Sequence, residues 1–366
     1  MTPAHRLAPR RRSILGAALA AALAGLATAP GAAAEPVKVG FVYVGPVGDH
    51  GWTFRHDHGR QAIEEAFGDR VETTFVESVS EGPDAERVIR QLAATGHDLI
   101  FTTSFGFMDP TVKIAEQFPD VAFEHATGFK RSDNVSTYSG RFYEGRHIIG
   151  EIAGQLTETK KIGYIASFPI PEVIRGINAA TLAARAVDPE IETLVVWVNT
   201  WYDPGREADA AKALIAQGAD IIMQHTDSPA ALQAAEAAGV KAFGQASDMK
   251  RFAPTVQLTA IIDDWDPYYI ARTQAVMDGT WESVDVWHGL AEGMVVMAPY
   301  ENRPEAVAER AKATEAALTA GEIHPFTGPI VDRDGTVQVP DGEIASDEHM
   351  LGMSYFVEGV IGDLPN

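Results

Sequence analysis

At 366 residues the chain is long enough for two ordinary domains, and its 46% hydrophobic content supports packed cores rather than disorder. It contains no cysteine, which excludes disulfides, thiolate metal sites, catalytic thiols and a lipid-bearing N-terminal Cys. With 29 basic residues against 51 acidic ones the formal net charge is −22, and nucleic acid is excluded as a partner because nothing offsets phosphate repulsion.

Residues 1–34 read as a targeting segment. Arg10, Arg11 and Arg12 give a basic start, 14–26 is an Ala/Gly-rich apolar run too short for a stable span, and Ala32-Ala33-Ala34 offers a small-residue cleavage site before Glu35. Arg11-Arg12-Ser13-Ile14-Leu15 also resembles a twin-arginine signal. No later stretch is long and apolar enough to span a bilayer. The expectation is a mature protein exported to the periplasm and not inserted in the membrane.

From residue 37 strands and helices alternate. Strand patterns at 37–44, 71–76, 99–103, 121–124 and 135–139 are interleaved with helical patterns at 53–67, 83–95, 110–117 and 143–156. Lys160-Lys161 opens a second series, with strands at 162–166, 193–198, 220–224, 241–244, 256–262 and 287–290. Helices at 171–186, 205–217, 229–238 and 267–278 separate them. The charged amphipathic helix at 305–320 is expected to return to the first domain. Repeated βα units predict an α/β protein of two doubly wound parallel-sheet lobes joined by a hinge around a central cleft. The first lobe is expected over 35–158 plus about 291–366, and the second over 159–290.

Two tryptophans occupy equivalent places. Trp52 ends Gly45-Pro-Val-Gly-Asp-His-Gly, the link from the first strand to its helix, and Trp201 sits in Asn199-Thr-Trp-Tyr-Asp-Pro-Gly-Arg206. Ligands of open α/β sheets bind at the carboxyl ends of the strands. One indole from each lobe therefore suggests a flat ring held between them. The remaining tryptophans have no such paired placement and read as packing residues.

Several separated motifs carry a family resemblance across nearly the whole mature chain. They are Gly48-Asp49-His50-Gly51-Trp52, Ser104-Phe105-Gly106-Phe107-Met108-Asp109, Gly140-Arg141-Phe142-Tyr143-Glu144-Gly145, Thr200-Trp201-Tyr202-Asp203-Pro204 and Gly244-Gln245-Ala246-Ser247-Asp248. In this order they resemble the basic-membrane-protein family of substrate-binding proteins. That resemblance implies a type I periplasmic-binding-protein fold, an ABC importer permease as partner and, as in several members, purine nucleosides as ligands. It implies a base stacked between Trp52 and Trp201, with Gly106 to Asp109 touching its edge. The sugar-holding Asp and Lys of nucleoside-binding members fall on Ala246 and Asp263 here, which cannot reproduce a carboxylate–ammonium grip on a diol. The resemblance so modified favours a free base (adenine, hypoxanthine or guanine).

Other strand ends supply polar candidates. His225 and Thr226, in Gln224-His-Thr-Asp-Ser228, and Gln245 and Asp248 can read ring nitrogens and exocyclic groups. Phe105, Gly106, Phe107 and Asp109 complete the candidate set, though Asp109 before Pro110 reads first as a helix cap, as does Asp203 before Pro204. Asp263-Asp264 read as solvated acids, and Asp227 or Ser228 as caps. His50, His56 and His58 read as an exposed face of the first helix, not a metal site, since residues two apart do not share a helix face. No nucleophile elbow, Walker A loop or Rossmann glycine motif is present, and neither a cofactor nor an enzymatic activity is expected. The leading reading is a monomeric receptor. An exported nucleoside or sugar hydrolase, and a receptor for a nucleoside or another flat heterocycle such as a flavin or pyrimidine, stay open beside it.

Overall fold

The computed structural model describes residues 35–365, so the targeting segment expected over 1–34 lies outside the described residues. The chain begins with β1 (Val37–Val42), α1 (Gly51–Phe67), β2 (Val71–Val76), α2 (Pro83–Ala94), β3 (Leu99–Thr102), α3 (Met108–Ala115), β4 (Ala122–Ala126) and β5 (Val135–Gly140). It continues through α4 (Phe142–Leu156), β6 (Lys161–Ala166), α5 (Pro171–Val187), β7 (Glu192–Trp197), α6 (Pro204–Ala216), β8 (Ile221–Gln224), α7 (Ala230–Ala238), β9 (Lys241–Gly244) and β10 (Gln257–Asp263). The last part holds α8 (Asp266–Met277), β11 (Asp285–His288), β12 (Val295–Met297), α9 (Glu305–Thr319), β13 (Ile330–Val331), β14 (Val337–Val339), α10 (Asp347–Leu351) and β15 (Val360–Ile361).

Two sheets form, one per lobe. The first runs β11-β5-β4-β3-β1-β2 with every pairing parallel. The second runs β12-β10-β9-β8-β6-β7-β15, parallel except for β12 against β10. Both faces of the central strands are buried, as parallel sheets require. In β1, Val39 and Phe41 enter the core cluster on one face while Val42 enters that on the other. The covering helices are amphipathic: α2 starts on Pro83 and buries Ala85, Val88, Ile89, Leu92 and Ala93, one stripe at helical spacing.

The lobes exchange chain more often than expected. Helix α4 packs most extensively on α5, across an approach so close that a Cβ on Gly150 would lie 2.2 Å from the Ala180 carbonyl oxygen. It therefore belongs with the second lobe, not the first. The strand expected at 287–290 in the second series is β11, which pairs with β5 of the first sheet. The segment from 291 onward, expected in the first lobe, instead supplies β12 and β15 to the second sheet and lays α9 on α4. The physical reason is edge pairing. A short strand joins whichever sheet edge its preceding helix leaves beside it, and α8 packs on α1 and β1 of the first lobe. Three connections thus cross between lobes, after β5, β10 and β11. Among the described residues no helix is long and apolar enough to cross a membrane.

Candidate ligand-binding site

The carboxyl ends of both sheets face one cavity of about 510 Å³, counting the solvent at its mouth. The first lobe lines it with Val44 after β1, Ser104 and Phe105 after β3 and Thr127 after β4, and Phe142, the first residue of α4, adds to the lining from the crossing between the lobes. Trp52 joins them from the first turn of α1. The second lobe contributes Glu172 from the start of α5, Trp201 after β7, His225, Thr226 and Asp227 after β8, Gln245 after β9, and Asp263 at the end of β10.

The two indoles are held differently. Trp52 donates its Nε1 to the Thr103 carbonyl at 2.7 Å and sits edge-on to His56 and Trp265, with centroids at 4.4 and 5.4 Å. Trp201 lies against Phe168 at 4.9 Å and donates its Nε1 across the cleft to Glu81 Oε1 at 3.0 Å. The Trp201 loop is braced by Glu207, which is fully buried and accepts the Asp203 and Ser228 amides at 2.9 and 3.0 Å.

The lobes are closed on each other. The N-terminal amides of α1 have no side-chain cap of their own. Asp227 Oδ1 accepts from Trp52 N at 2.6 Å and Ser247 Oγ from Gly51 N at 2.7 Å, so the second lobe supplies the partners that this helix end lacks. Gly51 has φ +80°, and a Cβ there would lie 2.7 Å from the Asp227 carbonyl oxygen. Arg251 pairs with Asp49 nearby, again across the cleft.

The polar wall belongs to the second lobe. The His225 ring lies 3.2 Å from Ser167 Oγ and 3.4 Å from Glu172 Oε1. Buried Arg146 donates to the Gln224 carbonyl at 2.9 Å and to Gln245 Oε1, which leaves the Gln245 amide nitrogen free to donate. Burial pushes Asp227 up to about 7, against the pull of the Trp52 N–H bond. Asp263 is 1% exposed, burial holds its carboxyl well above the usual carboxylate range, and neither carboxylate oxygen has a hydrogen-bond partner.

Of the residues singled out in the sequence, Trp52, Phe105, Trp201, His225, Thr226 and Gln245 line the cavity. Four do not. Gly106 turns its amide to Glu81 at 3.1 Å, and Phe107 is fully buried in the core of the first lobe. Asp109 is exposed, pairs with Lys130 at 2.7 Å, lies off the cavity lining, and does not cap α3, which has no side-chain cap. Asp248 accepts from Lys250 N at 3.0 Å and from Gln257 at 2.7 Å, and these bonds close a turn away from the cavity. Asp203 does cap α6, accepting from Arg206 N at 3.0 Å.

Asp263, expected to be solvated, and Asp227, expected to cap its own helix, are cavity residues instead. Glu172, Phe142, Ser104, Thr127 and Val44 were not singled out. Val44, Ser104, Thr127 and Phe142 each follow the carboxyl end of a strand, so the same strand-end logic covers them. His56, expected on an exposed face, is fully buried, stacked on Trp265 at 4.8 Å and 2.5 Å from the Tyr269 hydroxyl. Among the described residues no group of three or more His, Cys, Asp or Glu side chains could hold a metal ion.

Two parallel-sheet lobes closing on a cavity at their strand ends define a periplasmic-binding-protein-like fold. The chain belongs to the PnrA-like family of ABC transporter substrate-binding proteins, whose model matches residues 36–325. It is 57% identical over 333 residues to a purine-binding protein from Brucella abortus (strain 2308), covering 91% of this chain and 95% of that one. It is 40% identical over 334 residues to a putative ABC transporter glucose-binding protein from Haloferax volcanii, covering 91% and 82%. An ABC transporter solute-binding protein from Aeropyrum pernix K1 shares the fold, with TM-score 0.67 at 19% identity over 79% of this chain and 93% of that one.

Proposed function

We propose that this substrate-binding protein is an exported, monomeric receptor for a free purine base, delivered to the permease of an ABC importer. The observation that carries the reading is the pair Trp52 and Trp201, offered by opposite lobes to one cavity whose second-lobe wall is polar. A base between them gains about 1–3 kcal/mol per stacking ring. Glu172, His225, Thr226, Asp227, Gln245 and Asp263 provide the edge contacts. The relative that is 57% identical and is named purine-binding supports the same ligand class. The closed arrangement supports release by opening, since a ligand in the cavity has both lobes around it.

The test is a thermal-shift and calorimetric screen of adenine, hypoxanthine, guanine, their nucleosides, pyrimidines, a flavin and glucose. Bases are expected to raise the melting temperature most, through binding to the folded state alone. A glucose arm is included because indoles and carboxylates also suit sugars and because of the 40% identical relative's name. A larger shift with glucose than with any base rejects the purine reading. Recovery of unchanged ligand after incubation separates a receptor from an exported hydrolase.

A further inference from the structure

Asp263 lines the cavity from the end of β10 with both carboxylate oxygens unpartnered, although it is 1% exposed. Burying a carboxylate without a donor is costly, so such a group is normally paired. The nearby cations are engaged elsewhere. Arg55 donates Nε to the backbone carbonyl of Asp263 at 2.6 Å and Nη2 to Asp264 at 3.1 Å. Arg146 is held by Gln224 and Gln245. The Asp263 backbone is pinned as well, since its N–H donates to the Ala246 carbonyl at 3.0 Å. A purely structural aspartate would have partners within the protein. This one is an acceptor waiting for a donor from the cavity side.

We infer that Asp263 selects a free base over its N-substituted forms, by accepting the N–H of the ligand's five-membered ring. The inference rests on the purine reading above. Every free purine carries that N–H, whatever its six-membered edge presents. In a nucleoside the same ring holds the sugar and has no hydrogen to donate. The ionised carboxylate, which only accepts, suits this constant donor, and the bound N–H favours that charged form against the burial that disfavours it. The mixed donors and acceptors of His225, Glu172 and Gln245 suit the six-membered edge, where the pattern changes from one purine to the next.

Calorimetric titration of the wild type with adenine, 7-methyladenine, 9-methyladenine and adenosine tests this, with the same series on Asp263→Ala and Asp263→Asn. The wild type is expected to bind the three substituted ligands about 10- to 100-fold more weakly than adenine, the range for a hydrogen bond to a charged group. Asp263→Ala is expected to lose the same factor for adenine and none for 9-methyladenine. Asp263→Asn, close in shape and able to fold if the alanine variant does not, keeps one acceptor and should fall between. Equal wild-type affinity for adenine and 9-methyladenine overturns the assignment, as does a variant that weakens both ligands by the same factor. A wild type that binds no purine at all is a different result and rejects the purine reading itself.

Discussion

The two lobes share an architecture but bring different chemistry to the cavity. The first offers Val44, Trp52 and Phe105, joined by Phe142 at the crossing into α4, with only the small hydroxyls of Ser104 and Thr127 among them. The second offers three acids, a histidine, a glutamine and a threonine around Trp201. One wall is a platform that any flat ring can use, and the other is a pattern of donors and acceptors that discriminates. Apolar burial is non-directional, whereas each polar contact asks for a matching atom. Binding strength is thus expected to follow the first lobe and identity of the ligand the second.

The sharpest way to break that contrast is to truncate one indole at a time. Trp52→Ala should cost about 10- to 100-fold in base affinity and Trp201→Ala about tenfold, with little change in ranking among bases, since stacking is tolerant of the ring stacked. Trp52 is the larger because a hydrogen bond and edge packing against His56 and Trp265 fix its ring in place. Unchanged calorimetric affinity in both variants removes the stacked sandwich. Next comes Gly51→Ala. Its methyl would meet the Asp227 carbonyl only in the closed form, so affinity should fall by about tenfold while the compactness measured by X-ray scattering in ligand decreases. A variant that still closes fully on ligand contradicts the role given to that contact.

Much of this was legible in the sequence because it depends on local pattern. The βα alternation gave the sheets, and Trp52 and Trp201 were found because each follows the carboxyl end of a strand. What escaped depends on long-range choices. β11 and β12 are short, and nothing within Asp285–His288 or Val295–Met297 encodes which sheet edge lies beside them. Asp263 reads as an ordinary acid after a strand. Only the fold shows that β12, Arg55 and the Ala246 turn bury it. Phe107 and Asp109 lie off the cavity for the converse reason: the 3-10 turn at Phe105–Phe107 places Phe105 on the lining and turns Phe107 into the core.

The polar wall also predicts how the ligand-free protein responds to pH. Burial raises Asp227 to about 7 in the closed form, above its ordinary 3.8. A carboxyl whose value is raised on folding contributes stability that is full below the ordinary value and is lost as pH rises through the raised one. The melting temperature should therefore fall from about pH 5 to pH 8, and Asp227→Asn should fall about 2–4 °C less, taking roughly 1 kcal/mol of linkage. Asn keeps an acceptor for the Trp52 amide, so the helix cap survives while the charge goes. Parallel pH profiles for the two proteins would assign the titration to another group, with Glu207, also raised to about 7 by burial, as the alternative.

The smallest expected effect lies at a side chain that ties the Trp201 indole to the first lobe. Glu81, exposed on the first lobe, accepts from Ser104 Oγ at 2.6 Å, from Gly106 N at 3.1 Å and from Trp201 Nε1 at 3.0 Å. A Cβ at Gly106 would lie 2.1 Å from the Glu81 carboxyl carbon, which explains a glycine whose own edge does not reach the cavity. Because water competes for an exposed acceptor, Glu81→Ala should weaken base binding by only about 2- to 5-fold. The loss should appear in the dissociation rate, since the contact forms only after the lobes meet. Stopped-flow measurement that finds the change in association instead would mean that Glu81 arranges the open first lobe rather than holding Trp201 against it.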